Sequence, residues 1–112
     1  MRTLLHPARE DFTLTNILYA LGDPFRLRIV GQLATMHEAI SCGDINGVND
    51  VAKSTGSHHF KLLREAGLIR MVPQGRRVLV SLRRADLEAR FPGLLEAILQ
   101  QYPAPLLHDA TR

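Results

Sequence analysis

The sequence predicts a mainly α-helical fold with one small β-hairpin. Apolar residues recur at three- and four-residue spacing in four segments, which is the periodicity of amphipathic helices. Between the third and fourth segments, two β-branched stretches flank a Pro-Gln-Gly-Arg-Arg run, as strands flank a turn. At 112 residues the chain has room for one domain, which we place over residues 1–112. Residues 1–12 are expected to form an N-terminal arm and residues 103–112 a frayed tail.

The first two helices follow each other directly. The four leucines and isoleucines between residues 13 and 21 fall on one face of a helix that ends at Gly22, and either Thr13 or Thr15 is expected to cap its start. Asp23 and Pro24 then supply an N-cap carboxylate and a proline at the first helical position of a second helix, which is expected to end near Met36. Glycines and asparagines between residues 39 and 50 leave only a brief helix near residues 42–45.

A third helix and a hairpin come next. Over residues 52–66, one face consists of Ala52, Gly56, Phe60 and Leu63, and Gly67 is expected to end the helix. Residues 69–72 and 78–82 predict two strands around a basic tip. The final helical pattern, from Leu87 to residue 102, is interrupted by Pro92-Gly93.

The charge is concentrated in the middle of the chain. Residues 53–84 contain eight lysines and arginines and one acidic residue, whereas the segments before and after each carry a net charge of −2. A basic segment between acidic ends is typical of a nucleic-acid-binding face, although a solvated surface of uneven charge is the simpler alternative.

The order of a short helix, a longer helix and a hairpin is that of a winged helix-turn-helix, whose longer helix enters the DNA major groove. The residues opposite the core face of the third helix are small polar groups and a lysine, which suit contacts with base edges. Cations on the helix and hairpin suit contacts with phosphates. The predicted DNA-binding residues are Lys53, Ser54, Thr55, Ser57, His58, Lys61, Arg64, Gln74, Arg76 and Arg77, with Arg70 as a further phosphate contact.

Two residues of the third helix have competing interpretations. His59 lies at the edge of the apolar face, so a hydrogen bond within the fold competes with, and is favoured over, a base contact. Gly56 lies at the centre of the core face, where a glycine costs about 1 kcal/mol relative to alanine. Either a neighbouring element approaches closely at Gly56, or the helix is weak there.

Three runs of sequence together resemble the ArsR family of bacterial repressors. They are Ala20-Leu21-Gly22-Asp23-Pro24-Phe25-Arg26-Leu27-Arg28-Ile29, then residues 54–69 (STGSHHFKLLREAGLI), and Gln74-Gly75-Arg76-Arg77. The resemblance covers roughly residues 13–99. It implies a homodimer joined through the first and last helices, which binds an inverted-repeat operator in double-stranded DNA and is released by an inducing signal.

The last helix allows two interpretations, because its apolar residues could be core or a dimer seam. A domain of this size has few elements to cover apolar stripes at both of its ends, so we favour the seam. The predicted interface residues are Leu14, Ile17, Leu18, Leu87, Phe91, Leu94, Leu95 and Ile98.

The sequence departs from the metal-sensing members of that family. They typically carry Cys-x-Cys in the short helix before the third helix, where this chain has Cys42 alone. One thiolate cannot form a soft-metal site, and no histidine lies between Asp86 and residue 102 to build the other known pattern. We therefore expect no metal and no cofactor. Cys42 is either a small buried residue or a redox-responsive thiol.

Other function classes have less support. An enzyme is not expected, because there is no glycine-rich phosphate loop and no carboxylate or nucleophile can be paired with the two adjacent histidines. A winged helix that binds protein instead of DNA remains an alternative. No segment is apolar enough for a signal peptide or a membrane helix, so a soluble cytoplasmic protein is expected. The effector is not identified by any motif.

Overall fold

The computed structural model describes residues 4–102. Five α-helices and a three-stranded antiparallel sheet follow in the order α1 (Leu14–Leu21), α2 (Pro24–Ala34), β1 (Ile40–Ser41), α3 (Lys53–Ala66), β2 (Ile69–Gln74), β3 (Arg77–Leu82), α4 (Arg84–Arg90) and α5 (Leu94–Gln101). Short 3₁₀ turns span Arg9–Asp11, Cys42–Asp44 and Val48–Asp50. The predicted fold class, mainly helical with a small sheet, is confirmed. None of the helices in this part of the chain is long and apolar enough to cross a membrane.

The helix boundaries follow the predicted caps. The Thr13 hydroxyl accepts the Asn16 N–H at 3.2 Å and begins α1, which ends at Gly22. Asp23 Oδ2 accepts the N–H groups of Phe25 and Arg26 at 2.9 and 3.0 Å, which fixes the start of α2. The second helix ends two residues earlier than predicted, at Ala34, where the Thr35 hydroxyl donates to the Gln32 carbonyl.

The hairpin is longer than predicted, and the sheet has a third strand. β3 lies in the centre, paired with β2 through six residues and with the two-residue β1 through Val80 and Leu79. Pro73 is part of β2. It is tolerated because β2 is an edge strand, and Pro73 lies on the same outward side as the Met71 N–H, which points away from β3.

The core lies between the helices and one face of the sheet. Helix α3 contributes Phe60 and Leu63, while Ala52, which was predicted on the same face, is exposed at the N-cap of the helix. The core side chains are those of Phe12, Ile17, Ala20, Leu21, Ile29, Val30, Leu33, Ile45, Phe60, Leu63, Ala66, Leu68, Ile69, Val80, Leu87 and Leu95.

The described part of the N-terminal arm is bound to the fold by arginine side chains. Arg83 donates to the Pro7 carbonyl at 2.8 Å, and Arg90 donates to the carbonyls of Arg9 and Phe12. Asp86 joins Arg9 and Arg83 through bonds of 2.9 and 3.0 Å. At the end of the arm, the buried Phe12 ring lies against Gly67, which has φ +98°. The predicted tail at residues 103–112 lies outside the described residues.

Candidate nucleic-acid interface

The outward face of α3 carries the predicted reading residues. Lys53, Ser54, Thr55, Ser57, His58 and Lys61 are all exposed, whereas Phe60 and Leu63 on the opposite face are 4% and 0% exposed. The helix therefore presents one continuous row of hydroxyls, an imidazole and ammonium groups to solvent. Donors and acceptors of this kind can contact base edges and phosphates when a helix lies in the major groove.

The N-terminus of α3 adds backbone donors to this surface. Ala52 is the N-cap, and its methyl group cannot accept a hydrogen bond from the first turn. The amides at the start of a helix attract anions through their N–H groups and the helix dipole. A DNA phosphate beside Lys53 or Ser54 would therefore meet backbone donors as well as side chains.

The hairpin of β2 and β3, which is the wing of this fold, ends in a tight basic turn. Gln74 and Arg77 pair as the last residues of the hairpin, and Gly75 and Arg76 form the two-residue turn between them. Gly75 has φ +62° and Arg76 has a negative φ, which is the pattern of a type II′ turn. All four residues are exposed, so the guanidinium groups of Arg76 and Arg77 are accessible to solvent at the end of the hairpin.

Two of the predicted phosphate contacts are engaged elsewhere. Arg64 is half-buried in the last turn of α3, where Nη1 donates to the Leu5 carbonyl of the arm. Arg70 is exposed on β2, and its Nη2 lies 3.8 Å from Asp86 Oδ2. Because the arm occupies one donor of Arg64, this guanidinium is less accessible to a phosphate than those of the exposed cations.

The favoured interpretation of His59 is confirmed, because its ring bonds within the fold. Its Nδ1 lies 3.1 Å from Arg26 Nη1 and 3.9 Å from Asp23 Oδ2, and its ring meets the Phe25 ring edge-on at 5.1 Å between centroids. Burial lowers the pKa of His59, against the opposing attraction of Asp23. The pKa of Asp23 is also lowered, chiefly because it accepts the Arg26 N–H. At neutral pH the imidazole is therefore uncharged.

Gly56 is buried without a tight contact. A Cβ built on it would lie 3.6 Å from Val51 Cγ2 and 3.8 Å from Val48 Cγ2, which are ordinary van der Waals distances. Of the two explanations for this glycine, close approach of a neighbouring element is wrong. The residue is a weak position in the helix.

The predicted dimer residues fall into two groups. Ile17, Leu87 and Leu95 are 1%, 3% and 7% exposed within one chain, because all three belong to its hydrophobic core. Their assignment to a seam is therefore corrected, since they have almost no surface left for a partner. The residues that keep accessible surface are Leu14 and Leu18, exposed on α1, and three half-buried residues, Phe91 at the end of α4 and Leu94 and Ile98 on α5.

Cys42 is half-buried and packs against the core from the 3₁₀ turn that follows β1. Over residues 4–102, no three His, Cys, Asp or Glu side chains come together in a group that could hold a metal ion. Arg26 is a buried side chain, 8% exposed, for which the sequence predicted no role, and it lies within hydrogen-bond distance of His59 on α3. Sequence periodicity places Arg26 on the flank of α2, and only its position in the Asp-Pro-Phe-Arg run marks it as special.

Comparisons with known proteins agree with this geometry. A helix-turn-helix domain family matches residues 21–72. A helix-turn-helix-type transcriptional regulator of Bacillus subtilis, YceK, is 37% identical over 89 residues, which span 80% of this chain and 89% of that protein. The crystal structure of an ArsR family transcriptional regulator, RHA00566, superposes with a TM-score of 0.61 at 26% identity, over 79% of this chain and 89% of that one. The transcriptional repressor BigR of Xylella fastidiosa shares the fold with a TM-score of 0.60 at 24% identity, over 80% and 85%.

Proposed function

This chain belongs to the ArsR-like family of winged helix-turn-helix transcriptional regulators, and we propose that it is a homodimeric repressor that binds an inverted-repeat operator. The observation that supports this proposal most directly is the exposed row of polar residues on α3, together with the basic turn at Gly75 and Arg76. Two such units related by a twofold axis would place their α3 helices in successive major grooves, which requires two half-sites one helical turn apart.

The residues proposed to contact bases and those proposed to contact phosphates have different parts in this proposal. Ser54, Ser57 and His58 extend from the N-terminal half of α3 and would contact base edges, which gives sequence preference. Lys53, Lys61, Arg76 and Arg77 would contact phosphates, which gives affinity without sequence preference. Release from the operator by an inducing signal is part of the proposal, and the chemical nature of that signal is left open.

Fluorescence anisotropy with the protein's own promoter DNA tests operator binding. We expect wild-type protein to bind this DNA at least about a hundredfold more tightly than random DNA at moderate salt. His58→Ala is expected to lower this ratio about tenfold, because a base contact contributes mainly to discrimination. Equal loss on promoter and random DNA would contradict the base-contact role, and a wild-type ratio near one would overturn the proposal.

The dimer is tested through Leu18, which is 48% exposed on α1. Leu18→Glu would introduce a charge into the proposed seam and yield a monomer in analytical ultracentrifugation, with loss of promoter binding at concentrations where wild type is bound. Leu5→Glu is the matched control, because Leu5 is 80% exposed on the arm and should leave the dimer intact. A wild-type protein that sediments as a monomer would exclude this assembly.

A further inference from the structure

The two halves of α3 are held unequally. Phe60, Leu63 and Ala66 bury the C-terminal half of the helix in the core. In the N-terminal half, residues 53–55, 57 and 58 are exposed, and the one buried residue is Gly56, which has no side chain. Apart from Lys61, the reading residues of α3 therefore lie on the less firmly held part of the helix. Their orientation depends on whatever fixes its second turn.

His59 is the first side chain along α3 with a described hydrogen bond to another element. Its partner, Arg26, also donates from Nε to the Ala20 carbonyl at 2.7 Å and from Nη2 to the Tyr19 carbonyl at 3.3 Å. These carbonyls belong to the last turn of α1, beyond the regular hydrogen bonds of the helix, and the Tyr19 carbonyl also accepts the Gly22 N–H at 3.1 Å. A single buried guanidinium thus connects the end of α1 to the second turn of α3.

The chemistry of the pair fixes its protonation state. Arginine donates and never accepts, so His59 Nδ1 is the acceptor and the ring proton lies on Nε2. A protonated ring would turn an Nδ1–H toward the Arg26 cation. The nearby acceptor is Asp23 Oδ2, 3.9 Å away, which already accepts two N–H groups at the start of α2. Besides Asp23 and Arg26, the titratable group facing His59 is His58 on α3 itself.

We propose that the Arg26–His59 hydrogen bond positions the reading end of α3 for operator recognition, and that it does so only while the imidazole of His59 is neutral. This inference rests on the proposed function, since it concerns the same surface. Protonation exchanges the bond to Arg26, which is anchored on α1, for an attraction to Asp23. The first two turns of α3 then lose this hydrogen-bonded connection to α1, while Phe60 and Leu63 keep the rest of the helix in place.

The direction of the pH effect follows from the environment of the ring. Because burial lowers the pKa of His59, the bond is complete above about pH 6.5 and is lost as the pH falls through the lowered value. A variant that differs from wild type only at His59 isolates the contribution of this ring from other effects of pH on DNA binding.

Two substitutions of His59 provide the test. His59→Phe keeps a ring against Phe25 but leaves the Arg26 N–H without its acceptor. His59→Asn keeps an acceptor at the position of Nδ1 and cannot be protonated. Anisotropy on promoter and random DNA at pH 7.5 should show an affinity ratio about five- to tenfold lower for His59→Phe, and within about twofold of wild type for His59→Asn. Between pH 7.5 and 5.5, the ratio of promoter affinity to random-DNA affinity should fall further for wild type than for His59→Asn.

The outcomes separate this inference from the function on which it depends. A wild-type protein without preference for promoter DNA overturns both proposals. A specific wild-type protein with an unchanged ratio in His59→Phe overturns only the positioning role. Profiles of this ratio against pH that coincide for wild type and His59→Asn also overturn only the positioning role. If circular dichroism shows that His59→Phe is unfolded, the comparison of wild type with His59→Asn decides alone.

Discussion

The basic residues of this protein form two sets that look alike in sequence and differ in environment. The four reading cations, Lys53, Lys61, Arg76 and Arg77, are exposed and make no ion pair with any residue between 4 and 102. The clamp arginines join the N-terminal arm to the rest of the fold. They are Arg9, Arg64, Arg83 and Arg90, all bonded to backbone carbonyls of the arm or to Asp86.

This difference changes how the charge of the middle segment is interpreted. Of its eight lysines and arginines, Arg64, Arg83 and Arg84 donate to carbonyls and Arg70 lies 3.8 Å from Asp86 Oδ2. Half of the positive charge that predicts a nucleic-acid surface is therefore engaged within the fold. The clamp arginines should govern stability, and the reading cations should govern DNA affinity.

The largest expected effect is on stability, through Asp86, which pairs with two of the clamp arginines. Its carboxylate bonds Arg9 and the buried Arg83, so Asp86→Asn leaves the Arg83 charge without its counter-ion. We expect the free energy of unfolding, measured in urea at pH 7, to fall by about 2–3 kcal/mol. Glu65→Gln is the control, because it removes the same charge from an exposed side chain of α3, and it should change the free energy of unfolding by less than about 0.5 kcal/mol. DNA affinity of the folded Asp86→Asn protein should stay within about twofold of wild type.

The same substitution has a defined pH dependence. The bond from Arg9, followed by that from Arg83, holds the pKa of Asp86 below its ordinary value of about 3.9. Its contribution to stability is therefore fully present above that value and is lost as the pH falls through the lowered pKa. The stability difference between wild type and Asp86→Asn should shrink in strong acid, and a difference that stayed constant would contradict the ion-pair explanation.

The next effect is on the reading cations. Arg77→Ala should weaken binding to promoter and random DNA alike, by about three- to tenfold, and flatten the dependence of log affinity on log salt by up to about one unit. Its thermal melting should not change. Arg84→Ala removes the same charge from the same segment, at a side chain that donates to the Ala34 carbonyl away from the wing. If the Arg84→Ala salt slope changed as much as that of Arg77→Ala, net charge would matter more than position.

Local signals in the sequence predicted the fold well. Thr13, Asp23 and Gly67 act at the helix ends where their side chains or backbone conformations suit capping. The two-residue strand β1 was missed, because its pairing with β3 depends on residues about forty positions away. The exposed row of α3 also followed from helical periodicity alone.

The partners of the charged residues could not be predicted in the same way. Arg64 and Arg83 bond to carbonyls 59 and 76 residues away, and no spacing pattern encodes such contacts. Arg26 is buried because three of its donors find acceptors, which requires three-dimensional geometry. The apolar stripes likewise predict the apolar face of a helix, but they do not show whether the chain itself or a second copy covers it. Ile17 and Leu18 are neighbours in one stripe, yet the chain buries Ile17 and leaves Leu18 exposed.

A smaller effect is expected in the helix that carries the reading residues. Gly56→Ala should stabilise the protein by up to about 1 kcal/mol, because the new methyl group fits beside Val48 and Val51 and the unfolded chain loses freedom. The methyl group faces the core, so promoter affinity should not change. Gly67→Ala is the contrasting control. Its methyl group would overlap the Phe12 ring at φ +98°, so its melting temperature should fall, and a rise there would show that the arm is loosely packed.

The smallest expected effect is on stability, at the hydrogen bond that joins His6 of the arm to β2. His6 Nε2 accepts the Met71 N–H at 2.9 Å on the free edge of β2. Burial, and then the charge of Arg70, lower the pKa of His6, so this bond is present above about pH 6.5 and is lost on acidification. His6→Gln offers an acceptor that does not titrate. Urea unfolding at pH 7.5 and 5.5 should therefore show a larger loss of stability in wild type than in His6→Gln.

His59 titrates in the same range, but it is present in both proteins and cancels from this difference. NMR can report the bond directly, because the Met71 amide should exchange faster and shift at pH 5.5 in wild type but not in His6→Gln. An amide that behaved identically in the two proteins would mean that the arginines alone hold the arm. The clamp would then be insensitive to mild acid, and any acid response of DNA binding would originate in the reading surface.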